Sequence, residues 1–85
     1  MKVTYCSGGL VRVSHDGIDY ELPNSYDLIQ SRIAYFNKCG VNPRHANHAA
    51  VILTLQQVHP EIALSADDLE AVNQVSVIVT VERYI

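Results

Sequence analysis

The stretch NKCGVNPRHANHAAVILTL, Asn37 to Leu55, gathers the side chains best suited to chemistry and then turns apolar. It carries one of the two cysteines, two of the four histidines and two of the six basic residues. Asn42-Pro43 reads as a helix cap followed by proline at the first helical position. Arg44, His45 and the free N–H groups of that first turn can then converge on a phosphate or a carboxylate. The plainer alternative is a helix-to-helix corner with a few solvated charges.

Two further chemistries fit the same residues. A helix, a short turn containing Gly40 and a second helix suggest a helix-turn-helix. Arg32, Lys38, Arg44, His45, Asn47 and His48 would then form an anion- or nucleic-acid-binding set. The bulky Tyr35 and Phe36 near the crossing and a second helix apolar on two sides weaken that reading. His45 and His48, three apart on a helix, can share a metal ion, with Cys39 as a third ligand. Strong zinc sites pair closely spaced ligands on both sides, whereas Cys39 stands alone, so no metal is assigned. His59 lies three turns beyond His48, out of reach of the same ion.

Nucleophilic chemistry has less support. Cys39 falls at a helix C-terminus, where the dipole opposes a thiolate. Ser7-Gly8-Gly9 is a turn rather than a nucleophile elbow. Asp67, Asp68 and Glu70 cluster, but the first two belong to the N-terminal turn of a helix, which favours carboxylates with no catalytic duty. No catalytic residue and no cofactor is assigned, and the chain reads as a non-enzyme.

Charge is segregated. Between Leu28 and Pro60 there is no acidic residue, while Arg32, Lys38 and Arg44 contribute +3 to a chain of net charge −3. The balance argues against unspecific binding to nucleic acid or anionic membranes and leaves a local basic patch possible. Two cysteines make no disulfide framework, the N-terminus has no apolar signal core, and Ala49–Leu53 is the longest purely apolar run. These features predict a soluble, cytoplasmic protein that does not engage a membrane.

The elements that position these residues are readable in part. A chain of 85 residues, 48% hydrophobic and 18% charged, is one domain with one core, residues 1–85. Lys2–Cys6, Leu10–His15 and Ile18–Leu22 alternate as a β-meander. Asp16-Gly17 is a two-residue hairpin turn. That turn pairs His15 with Ile18, Ser14 with Asp19, Val13 with Tyr20, Arg12 with Glu21 and Val11 with Leu22. One face then carries Val11, Val13, Ile18, Tyr20 and Leu22, and the other Arg12 opposite Glu21 and Ser14 opposite Asp19. Asn24 is placed as the cap of a helix from about Ser25 to Cys39, with Tyr26, Ile29, Ile33 and Phe36 as its buried stripe. Gly40 ends it in a left-handed conformation.

The second helix runs from Pro43 to about Val58, with a bulky flank (Val51, Ile52, Leu55, Val58) and a small flank (Ala46, Ala49, Ala50, Leu53). Two apolar flanks require contact on two sides. Ser65 and Asp68 form a capping box before a short third helix through about Asn73. The valines of VSVIVTVERYI alternate, which predicts a C-terminal strand inside the sheet. The fold expected is therefore α+β: a two-layer sandwich with an N-terminal three-stranded meander, a helical hairpin plus short third helix, and a C-terminal strand completing a largely antiparallel sheet.

Function follows from the surfaces. The expected activity is docking, as a regulator, adaptor or inhibitor, onto another protein or a second copy of the chain. Ala46, Ala49, Ala50, Leu53, Tyr35 and Tyr84 are the interface candidates. Nucleic-acid binding through residues 32–48 is the principal alternative, and metal binding through Cys39, His45 and His48 the other.

Overall fold

The computed structural model describes residues 1–83, the last five, 79–83, by backbone alone. Three strands and three helices follow in order: β1 (Lys2–Tyr5), β2 (Val11–His15), β3 (Ile18–Leu22), α1 (Tyr26–Lys38), α2 (Pro43–Val58) and α3 (Ala66–Arg83). The fold is α+β, with an antiparallel sheet of order β1-β2-β3.

The β2–β3 hairpin has the expected register, His15↔Ile18 through Val11↔Leu22. Asp16 and Gly17 both take positive φ, 50° and 77°, as a two-residue turn matched to strand twist requires. The inner face buries Val11, Val13 and Leu22 completely. The outer face is solvated, with Arg12 and Glu21 paired at 3.3 Å and Ser14 donating to Asp19. Ile18, at the turn end of the hairpin, is 54% exposed.

The α1–α2 corner is closed by backbone hydrogen bonds. Val41 N–H donates to the Phe36 carbonyl and Gly40 N–H to that of Asn37, both at 3.0 Å, with Gly40 at φ 91°. This is a Schellman motif, and Val41 packs as the apolar residue that usually accompanies it. One residue later the Asn42 side chain accepts the Arg44 N–H at 2.9 Å, and Pro43 opens α2. The start of α1 differs from expectation. Asn24 takes φ 53° within the turn, and Ser25 occupies the cap position with its hydroxyl on the Pro23 carbonyl. Tyr26 is not part of the buried stripe; its ring stands edge-on to Tyr5, centroids 5.4 Å apart.

Helix α2 is the central element, packed against both α1 and α3. Ala46, Ala49, Ala50, Ile52 and Leu55 have no exposed surface, and Val51 and Thr54 almost none. Ile29 and Phe36 of α1 and Ala71 and Val75 of α3 complete the core with the inner sheet face. Each fully buried Leu or Ile contributes roughly 1.5–3 kcal/mol relative to exposure.

The C-terminal strand is overturned. Residues 75–83 continue α3 instead of joining the sheet, which has three strands among the described residues. The apolar positions satisfy both periods: Ala71, Val75 and Ile78 recur at helical spacing and face the core, with Val72 partly buried beside them. Val77, which alternation would place beside Val75, is 72% exposed. Packing against α2 outweighs the β-preference of single valines, which is small and context-dependent. Among the described residues no helix is long and apolar enough to cross a membrane.

Candidate functional site

Three elements distant in sequence meet at one carboxylate. Asp68 lies in the first turn of α3, where the capping box forms as expected: Ser65 N–H donates to Asp68 Oδ2 at 2.9 Å, and Asp68 N–H to Ser65 Oγ at 3.2 Å. The same Oδ2 is 2.6 Å from His15 Nε2 at the end of β2. Oδ1 is 2.6 Å from Nε2 of His48, in the second turn of α2. Asp68 is 1% exposed and His15 6%. An ionised carboxylate can only accept, so each imidazole presents its Nε2–H.

Burial pushes the Asp68 carboxyl up. The hydrogen bonds from His15, from the Ser65 backbone and from His48 outweigh it and hold the group well below the usual carboxylate range. The carboxylate is therefore ionised and acts as a three-way tie between sheet, central helix and C-terminal helix. Beside it is a cavity of about 300 Å³, lined by Met1, His15, Asp16, His48 and the Ala63–Ser65 segment with Asp67 and Asp68. In that lining the Ser65 hydroxyl oxygen accepts the Asp68 N–H of the cap.

His48 also belongs to a second and larger depression. A groove of about 640 Å³ is lined by Met1, by Val3 and Tyr5 of β1, by Gln30 and Ile33 of α1, and by Arg44, Asn47, His48 and Val51 of α2. Arg44 is its one charged side chain. Arg44 is exposed, and its guanidinium has no carboxylate within ion-pair reach among the described residues. The Asp68 bond fixes the imidazole that forms part of the groove's wall.

The sequence candidates are dispersed by this arrangement. Arg44, Asn47 and His48 share the groove. Arg32 instead bridges α1 to α2, donating to Thr54 Oγ1 at 2.7 Å, while Thr54 donates to the Ala50 carbonyl. His45 lies 3.8 Å from the Glu70 carboxylate of α3, and Lys38 is an exposed residue of the last turn of α1. Of Arg32, Lys38 and Arg44, only Arg44 lines the groove, and α2 packs against both α1 and α3. Cys39 is exposed at the corner, and no three His, Cys, Asp or Glu among the described residues are arranged to hold a metal ion.

The alanine flank requires a correction. Ala46, Ala49 and Ala50 are covered by the chain's own elements, so they are core and not a docking face. Leu53 packs partly buried against the same core, whereas Tyr35 is 41% exposed beside Phe36. Tyr84 lies outside the described residues.

Sequence reasoning overlooked His15 and gave Asp68 only half its role. A signal was present. His15 has the strand parity of Val11 and Val13, which places an imidazole on the inner face, and a buried imidazole requires a partner. Asp68 was already explained by its cap, so nothing local asked for a second role. Fold and site together define a small α+β domain in which a shared carboxylate ties three elements beside an open groove. No protein-family model, curated protein or solved structure matches the chain.

Proposed function

We propose that the protein is a small non-enzymatic interaction module that docks a segment of another protein in the groove between β1, α1 and α2. The observation that carries this reading is the groove itself: apolar side chains from three elements around Arg44, a cation with no ion-pair partner among the described residues. A few convergent polar groups on an apolar lining are the usual make-up of a binding site. Of the surfaces expected to dock, the alanine flank is spent on the core, whereas Arg44, Asn47 and His48 of the basic corner line this depression. Both cysteines are free, which suits a reducing cytoplasmic setting. A regulator, adaptor or inhibitor would act by such occupancy, with no cofactor and no metal.

The test is site-specific photocrosslinking in the native extract. A photoreactive residue at Asn47 should yield a discrete adduct that is absent when the probe sits at Ser76 on α3 and is lost in Arg44→Glu. Identical adducts from both positions, or none from Asn47, would remove the proposal. Nucleic acid is the poorer occupant, because only Arg44 of the three cations in residues 28–60 faces the groove. Salt-sensitive retention on DNA that disappears in Arg44→Ala would reverse that preference.

A further inference from the structure

We propose that the groove's occupant is an extended acidic segment, added to β1 as a fourth strand with a carboxylate placed on Arg44. This deepens the docking reading and rests on it. β1 is an edge strand, paired with β2 on one flank from Lys2↔Ser14 to Tyr5↔Val11 and with no strand on the other among the described residues. Along such an edge alternate residues aim N–H and C=O groups outward, a template for a further strand. Its sequence, KVTY, has no proline and one lysine, so little blocks pairing. The opposite edge, β3, carries Asp19 and Glu21, which repel an acidic strand.

The groove follows this free edge. Val3 and Tyr5, two apart and so on the same side of the strand, both line it. A strand added there would lay alternate side chains into the groove, the arrangement by which strand addition gains specificity. Charge selects the occupant. Arg44 has no acidic neighbour in the lining, and the chain has no acidic residue between positions 28 and 60. A second copy pairing through its own β1 would bring Lys2 and no carboxylate, leaving Arg44 unsatisfied. A carboxylate on arginine makes two parallel charge-assisted bonds, which fixes the register of an otherwise sequence-tolerant ladder.

The experiment is panning of phage-displayed random octapeptides against the full chain, with Arg44→Glu and Asn47→Trp in parallel. Selection should enrich Asp or Glu flanked by alternating apolar residues. Arg44→Glu should shift the enrichment to Lys or Arg, and Asn47→Trp, which fills the groove, should abolish it. A synthetic consensus peptide should lose at least about tenfold in affinity when alternate backbone nitrogens are methylated, which removes the ladder bonds. It should also protect the amides of Lys2–Tyr5 from exchange. Enrichment blocked by Asn47→Trp but blind to Arg44→Glu or to N-methylation overturns this inference and leaves the docking reading intact. Enrichment indifferent to Asn47→Trp, or none, overturns both. A concentration-dependent dimer abolished by Asn47→Trp assigns the groove to a second copy and overturns the inference as well.

Discussion

Replacing Asp68 with alanine removes, in one step, the acceptor of three donors: His15 Nε2–H, His48 Nε2–H and the Ser65 N–H. The costs differ with burial. His15 is almost enclosed, so its N–H loses its partner with no water to replace it, a cost of about 1–3 kcal/mol. The lost cap adds about 1 kcal/mol. The His48 side chain is 25% exposed and recovers part of its bond from solvent. The total is about 3–4 kcal/mol, within the range for breaking a buried charged contact. For a domain of this size that lowers Tm by roughly 15 °C or more. Asp68→Asn keeps one accepting oxygen and the side-chain shape, and should lose about half as much. Urea unfolding followed by far-ultraviolet circular dichroism at pH 7 measures both. The midpoint should fall with the slope unchanged. Coupling gives the sharper test: His15→Phe and Asp68→Ala together should cost less than their sum by about 1.5–3 kcal/mol. A loss below about 1 kcal/mol for Asp68→Ala, or a cycle additive within about 0.5 kcal/mol, refutes the three-way tie.

Other consequences are open to the same assay. Because the folded-state pKa of Asp68 is depressed, its contribution is complete above the unfolded carboxylate value of about 3.9 and is lost as pH falls below it. The stability gap between the wild type and Asp68→Asn should therefore shrink as pH falls from about 4 toward 2; a gap that widens over that interval contradicts the assignment. Gly40→Ala should cost about 1 kcal/mol for backbone reasons alone, since a Cβ there meets nothing within 4 Å, and Gly40→Asn should cost less; equal melting points would deny the left-handed corner. Val75→Ala should destabilise by about 2 kcal/mol, whereas Val77→Ala, at an exposed helical position, should be neutral or stabilising by up to about 0.5 kcal/mol. Losses of the same sign and size at both positions would restore the C-terminal strand.

How much of this was legible depended on how local the determinant is. The hairpin register followed from Asp16-Gly17 and a two-residue period, and the α1–α2 corner from Gly40, Asn42 and Pro43. Each is settled by a few adjacent residues. The end of α3 was not legible, because Ala71, Val75 and Ile78 fit a helical face as well as the valines fit an alternating strand. What decides between them is the face of α2 available to receive them, and that is a tertiary fact. The two apolar flanks of α2 were read correctly as a need for contact on two sides, but whether α1 and α3 or a partner would supply it was not readable from the flanks.

The shared carboxylate shows why the site was only half readable. Residues 53 and 20 positions from Asp68 converge on it, and no spacing rule spans such separations. The geometry also links the tie to the groove. His48 holds Asp68 from one side and lines the binding depression on the other, so the bond that locks α3 to α2 also sets one wall of the groove. A groove wall pinned by a buried ion-like contact is preorganised, and preorganisation reduces the ordering cost that an incoming segment must overcome. It follows that Asp68→Asn, though its side chain faces away from any ligand in the groove, should weaken docking even in molecules that remain folded, and that Arg44→Ala should weaken docking without touching stability. On the docking proposal, stability and recognition are coupled at His48 and separable at Arg44.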